Sequence, residues 1–198
     1  MSKQALDNIT SSVGGNSELL MKKKILNLGK HYIVMDQNQA TLCNVILDWG
    51  QNIGGQMLSS VAGKWAGRMM SYTYRVTDAN GQEALEIRKG KGSFKTHFDI
   101  VEPETGENIG GIGLKRGLLF GGMKAQWVDP KTGQGLISVR GNIMRRKYVM
   151  LDPSVNEIAK VRHKIMAIRD VWKLELTSGT NHLHAMIFAT VLDFEKEM

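Results

Sequence analysis

Two rhythms organise this chain. From Glu18 to about residue 176, apolar and polar positions alternate in short runs separated by turn chemistry, the period-two pattern of half-buried strands. The runs 19–26, 31–36, 40–47, 69–77, 84–89, 93–101, 108–114, 119–128, 135–140, 143–151, 157–163 and 168–176 predict twelve strands. The second rhythm begins at His182 and runs to Phe194. At 100° per residue, Leu183, Met186, Ile187, Phe188, Val191, Leu192 and Phe194 point in nearly every direction, and a helix apolar all round must be buried in protein or lipid. At ~1.5 Å per residue the run spans roughly 20 Å, short of the ~30 Å core of a bilayer. The protein interior is the expected home.

Four turns share one grammar. Asp78-Ala79-Asn80-Gly81, Glu102-Pro103-Glu104-Thr105-Gly106, Asp129-Pro130-Lys131-Thr132-Gly133 and Asp152-Pro153-Ser154-Val155-Asn156 each begin with an acid and end on Gly or Asn. Pro presets φ for the second turn position, and the terminal Gly or Asn tolerates φ > 0. They recur at roughly 25-residue intervals, one two-stranded unit per period. A true internal repeat and an ordinary meander both account for this.

One segment breaks the strand rhythm. Over Gly54–Met69, residues Met57, Leu58, Val61, Ala62 and Trp65 fall on one helical face, predicting an extra helix near 55–68. A connector packed across a barrel end and a surface helix that meets a membrane or a protein partner are the two readings. Residues 1–17 are polar, with Gly14-Gly15-Asn16-Ser17, and are expected to form a flexible tail ahead of one domain over 18–198.

Eight antiparallel strands close into a barrel whose lumen side chains just fill; twelve enclose more. A helix ~10 Å across suits that larger lumen. The expected fold is therefore mainly β, an antiparallel closed barrel of about twelve strands around the buried carboxy-terminal helix.

Composition changes this picture little, and charge changes it more. A 42% apolar and 23% charged chain is ordinary for a globular protein. A single cysteine, Cys43, excludes an internal disulfide and favours a reducing cytoplasmic setting. It sits in the apolar run Thr41–Leu47 and reads as an inert buried thiol. The first residues lack the apolar stretch of a signal peptide. The net charge of +7 favours anionic partners. Basic residues gather near strand ends: Lys22, Lys23 and Lys24; Arg88, Lys89 and Lys91; Lys115 and Arg116; Arg145, Arg146 and Lys147; Arg162 and Lys164. If the units repeat, several clusters share one rim, where Lys and Arg attract phosphate head groups. A solvated basic face is the plainer reading.

Other motifs carry less. Gly110-Gly111-Ile112-Gly113 lies between two strands, so a bulge or tight hairpin accounts for it better than a phosphate loop. His182 and His184 are about 200° apart on a helix and cannot chelate one metal from one face. They are expected to cap the helix entry or reach solvent. No catalytic constellation, metal site or cofactor motif stands out, and the chain is expected not to be an enzyme.

The acidic turn, strand and basic residue of Asp129–Arg140, with the ending Ala189-Thr190-Val191-Leu192-Asp193-Phe194, resembles phospholipid scramblase and LURP-one-related proteins. The wider tubby C-terminal superfamily shares a twelve-stranded barrel around a central helix. Calcium activation and lipid anchoring do not carry over: the amino-terminal region has no cysteine, and Trp172–Asn181 lacks the repeated carboxylates of a calcium loop. The resemblance implies a domain that binds anionic phospholipid and sits peripherally at a membrane. A protein-interaction scaffold using residues 55–68 and a basic nucleic-acid-binding barrel are the alternatives. The latter lacks interleaved aromatics.

Overall fold

The computed structural model describes residues 2–26, 29–48, 71–90, 96–115, 124–140, 147–166, 169–177 and 181–197. The alternating runs all become strands: β1 (Glu18–Leu26), β2 (Gly29–Met35), β3 (Thr41–Asp48), β4 (Tyr72–Asp78), β5 (Glu83–Lys89), β6 (Thr96–Val101), β7 (Asn108–Lys115), β8 (Lys124–Val128), β9 (Gly135–Arg140), β10 (Lys147–Leu151), β11 (Glu157–Met166) and β12 (Arg169–Leu176). Each pairs antiparallel with its sequence neighbours, and β1 pairs with β12, so the sheet closes into a twelve-stranded up-and-down barrel.

Alternation sets which residues enter the lumen. Leu19 and Met21 of β1, Tyr32 and Val34 of β2, Tyr72, Tyr74 and Val76 of β4, and Trp172 and Leu174 of β12 are buried, while their neighbours face out. The lumen is filled by the carboxy-terminal helix α2 (His182–Glu197). Leu183, Met186, Ile187, Phe188, Val191 and Leu192 are all buried. The helix touches walls on opposite sides of the ring. The Cys43 thiol on β3 lies 3.4 Å from Met186 Sδ, and the Tyr148 hydroxyl on β10 donates to the Ala189 carbonyl at 3.4 Å. An external helix could not reach both. Thr190, polar in this apolar setting, donates to the Met186 carbonyl one turn back at 3.0 Å. The Phe194 side chain lies outside the described residues, as do Asp193's side chain and the helix expected over 55–68.

The expected loose tail is instead helix α1 (Ser2–Gly14), which buries Ala5, Ile9 and Val13. These are spaced four residues apart, a stripe only one residue wide, and burial against the barrel end makes the helix worthwhile. Its Ser2 amide donates to Glu104 Oε1 at 3.0 Å, where a carboxylate suits a helix N-terminus. Asn8 Nδ2 donates to Asp78 Oδ2 at 3.3 Å. His182 places Nδ1 3.2 Å from the Val13 carbonyl and Nε2 3.4 Å from the Thr177 carbonyl. It therefore joins α1 to the start of α2. The cap of α2 is Asn181, whose Oδ1 accepts from the His184 amide at 3.1 Å, rather than either histidine.

Candidate anion-binding rim

In an up-and-down barrel the connections alternate between two ends, which gives this barrel two chemically different mouths. At one end lie the turns after β2, β4, β6, β8 and β10. Each begins with an acid: Asp36, Asp78, Glu102, Asp129 and Asp152. Each is accompanied by a register shift in the adjoining ladder. The repeat extends to the connection at Asp36–Ala40, which falls outside the shared turn grammar because it contains neither Gly nor Pro. The acids hold the turns. Asp36 Oδ1 accepts from the Ala40 amide at 2.8 Å, Asp129 Oδ1 from the Lys131 and Thr132 amides at 2.8 Å, and Asp152 Oδ1 from the Asn156 amide at 2.7 Å. The amide bonds from Thr132 and Lys131 hold the Asp129 carboxyl below its ordinary value, and those from Asn156 do the same for Asp152. Burial opposes ionisation of Asp78, but bonds from Gln82, Asn8 and Asn80 outweigh it and the net shift is downward. A polar cleft of about 340 Å³ lies here between α1 and the β4–β5 turn, lined by Asn8, Ser11, Ser12 and Asp78 among others. Its one carboxylate is already engaged by the turn and Asn8.

At the opposite end six of the twelve strand ends are basic, while β3 closes on Asp48. Lys89 closes β5, Lys115 closes β7, Lys124 opens β8, Arg140 closes β9, Lys147 opens β10 and Arg169 opens β12. Lys89, Lys115 and Lys147 belong to the clusters read from sequence; Lys124, Arg140 and Arg169 were not among those candidates. Knowing that alternate turns share an end would have found these three.

The candidates divide by position. Lys24 is exposed near this rim, and Lys147 is exposed at the start of β10, level with Arg162. Arg88 is exposed and ion-paired with Glu86. Lys22 and Arg162 lie halfway along β1 and β11, on the outer wall rather than the rim. Lys23 and Lys89 face the lumen, at 9% and 5% exposure, with Lys89 Nζ 5.0 Å from the centre of the Tyr72 ring. Strand alternation forces this, so neither belongs to the outer surface. Lys115 and Lys164 are placed by backbone position only. Lys91, Arg116, Arg145 and Arg146 lie outside the described residues.

The glycine-rich run is β7 itself, neither a phosphate loop nor a hairpin turn. Gly110 lets the Trp127 indole lie against the strand; a Cβ there would meet Cζ2 at 2.7 Å. His184 stacks on that indole, with ring centres 4.3 Å apart and an interplanar angle of 25°. Burial pushes the His184 imidazole down to about 4, so it is neutral there at pH 7. Burial likewise pushes the Cys43 thiol up to about 12, which makes it an unreactive packing residue. Among the described residues, no helix is long and apolar enough to cross a membrane.

The molecule is a closed antiparallel barrel filled by its own carboxy-terminal helix. Comparison with known proteins places it more narrowly. The LURP-one-related family matches residues 17–193, and the chain belongs to that family. An Arabidopsis thaliana protein known from an X-ray structure is similar in fold, with a TM-score of 0.60 at 11% identity, covering 94% of this chain and 96% of that one. No curated protein matches the sequence. Helix α1 falls before the matched segment.

Proposed function

We propose that this is a non-enzymatic domain that associates peripherally with anionic membranes through its basic rim, and that its kinship extends to the scramblase and tubby-type barrels. The observation behind this reading is the separation of charge between the two mouths. Acids at one end are committed to their turns, while exposed Lys24 stands toward the other with the basic strand ends, and Lys147 is exposed where β10 begins. A surface so polarised orients the molecule in the field of an anionic bilayer, where each basic residue near the interface contributes ~1 kcal/mol. That attraction is screened over a Debye length of ~10 Å at 0.1 M salt.

Liposome co-sedimentation tests the reading. Vesicles containing phosphatidylserine are expected to capture the protein at low salt, and neutral phosphatidylcholine vesicles are not. The double variant Lys24→Gln/Lys147→Gln is expected to weaken capture on the order of tenfold or more, with two basic residues removed. Binding indifferent to lipid charge would refute the proposal.

A further inference from the structure

Helix α1 fills its seat on the barrel incompletely. It packs against β3, β4, β5 and α2 at the acidic mouth through Ala5, Ile9 and Val13, all fully buried. Beside that apolar stripe lies the cleft of about 340 Å³, lined by Asn8, Ser11 and Ser12 from the helix and by Leu42, Asp78 and Asn80 from the barrel. The helix presents only short neutral side chains to it. Two carboxylates of the barrel receive neutral donors from α1: Asn8 Nδ2 reaches Asp78 Oδ2 at 3.3 Å, and the Ser2 hydroxyl reaches Glu102 Oε1 at 3.2 Å. The helix carries one Lys and one Asp, and so brings no net charge to a mouth where five turns each begin with an acid. Its two ends are held by backbone groups, the Ser2 amide on Glu104 at 3.0 Å and the Val13 carbonyl 3.2 Å from His182 Nδ1, contacts that any helix of this length can make. Three residues connect α1 to β1, and their bonds turn back onto α1: the Gly15 amide donates to the Ser11 carbonyl at 3.3 Å and the Asn16 amide to the Val13 carbonyl at 3.2 Å. Ser17 is tied to the barrel, its carbonyl accepting from the Leu176 amide at 2.8 Å. The β1–β12 seam is thus held by its own bonds, and the family segment likewise begins at residue 17.

We propose that this seat is a docking site for a basic amphipathic helix of a partner protein, and that α1 is its resident occupant, displaced when the partner binds. The proposal is independent of the membrane reading, which uses the opposite mouth. A helix laid in a groove is held by apolar anchors about one turn apart, and Ala5, Ile9 and Val13 mark them here. What α1 lacks is a cation beside the cleft. A Lys or Arg in place of Asn8, Ser11 or Ser12 has room there. It meets Asp78 in a charge-assisted bond, shorter and stronger than the neutral amide bond it replaces. The acids around the mouth attract such a helix at longer range and disfavour an acidic one. A second copy is a poorer occupant. Exchange of α1 between two copies repeats the same neutral contacts and brings two acidic mouths together.

The test uses the full-length chain and fluorescein-labelled peptides read by anisotropy. One peptide carries residues 2–16, a second the same residues with Asn8→Lys/Ser12→Lys, and a third with Asn8→Glu/Ser12→Glu. The Ile9→Asp chain, its own helix undocked, is expected to bind the lysine peptide on the order of tenfold more tightly than the first, and the glutamate peptide least. Wild type, its seat filled, is expected to bind the lysine peptide more weakly than Ile9→Asp does. Adding Asp78→Asn to the Ile9→Asp chain keeps an oxygen for the turn amides and is expected to erase the lysine advantage. A folded Ile9→Asp chain that captures no peptide overturns the proposal, as does equal binding of the lysine and glutamate peptides. Where Ile9→Asp unfolds the chain, Asn8→Lys in otherwise wild-type protein decides. It is expected to slow proteolytic trimming of residues 2–14 on the order of tenfold, and trimming as fast as wild type overturns the proposal. Concentration-dependent dimerisation of wild type in light scattering, abolished by Ile9→Asp, assigns the seat to a second copy and overturns it too.

Discussion

Val155 offers a substitution that should stabilise the protein. Five turns at the acidic mouth each need one residue in the left-handed region. Gly81, Gly106 and Gly133 supply it with φ of 83°, 72° and 69°; Gln39 and Val155 supply it with 66° and 68°. A left-handed conformation costs an L-residue roughly 1–2 kcal/mol, and a β-branched side chain is the least suited to it. Val155 is 52% exposed, so its side chain contributes little burial in return. Val155→Gly removes the strain but adds about 0.5–1 kcal/mol of unfolded-state entropy. The net expectation is a gain of about 1 kcal/mol. Val155→Asn, which tolerates the same region, should do as well without the entropy. The flanking bonds remain: the Val155 amide still donates to the Asp152 carbonyl at 3.0 Å, and the Asn156 amide to Asp152 Oδ1. For a chain of this size the gain is roughly 2–4 °C in Tm. Urea unfolding followed by circular dichroism should show a higher midpoint at unchanged slope. Val155→Thr, still β-branched, should show no gain. If the Gly and Asn variants are both less stable than wild type, the strain argument fails.

Further outcomes follow from the core and the acidic mouth. Gly110→Ala should cost about 1–3 kcal/mol by forcing a Cβ into the buried Trp127 ring, while Gly113→Ala, with nothing within 4 Å, should show no such loss in the same urea titration. The buried His184 is depressed in the folded state, so its contribution to stability is complete above about pH 6.5 and is lost as pH falls toward about 4. That window should account for about 2–3 kcal/mol, reduced by partial solvent access, and His184→Phe should flatten it in pH-dependent unfolding. The lowered carboxyls of Asp78, Asp129 and Asp152 act further down: stability they confer is present above the ordinary carboxylate range and lost below it. Ile9→Asp would bury an ionised carboxylate at several kcal/mol, so α1 should undock instead. Limited proteolysis should then trim residues 2–14 and leave the barrel resistant; loss of the whole chain would show that α1 is integral to it.

The strands and α2 were legible because their signals are local. Strand alternation and the all-round apolar helix each require only a few neighbouring residues to declare themselves, and a helix of that kind beside so many strands has one sheltered place to go. The acidic turns were legible where Gly and Pro marked them. They were not at Asp36, and at Asp152–Asn156 the left-handed residue is Val155 rather than the terminal Asn156. Only the register of the ladder decides which turn residue must adopt positive φ. Helix α1 was hidden for a different reason. Ala5, Ile9 and Val13 are too thin a stripe to hold a helix alone, and the barrel mouth that stabilises them is assembled from strands far along the chain.

Charge shows the same division. The sequence determined that basic residues cluster near strand ends. Closure of the barrel decided which face is the lumen, which hid Lys23 and Lys89, and set Lys147, Arg162 and Lys173 side by side from three separate strands. Period two is written in adjacent residues; the direction a face looks, and what stands opposite it, exist only once the sheet has met itself.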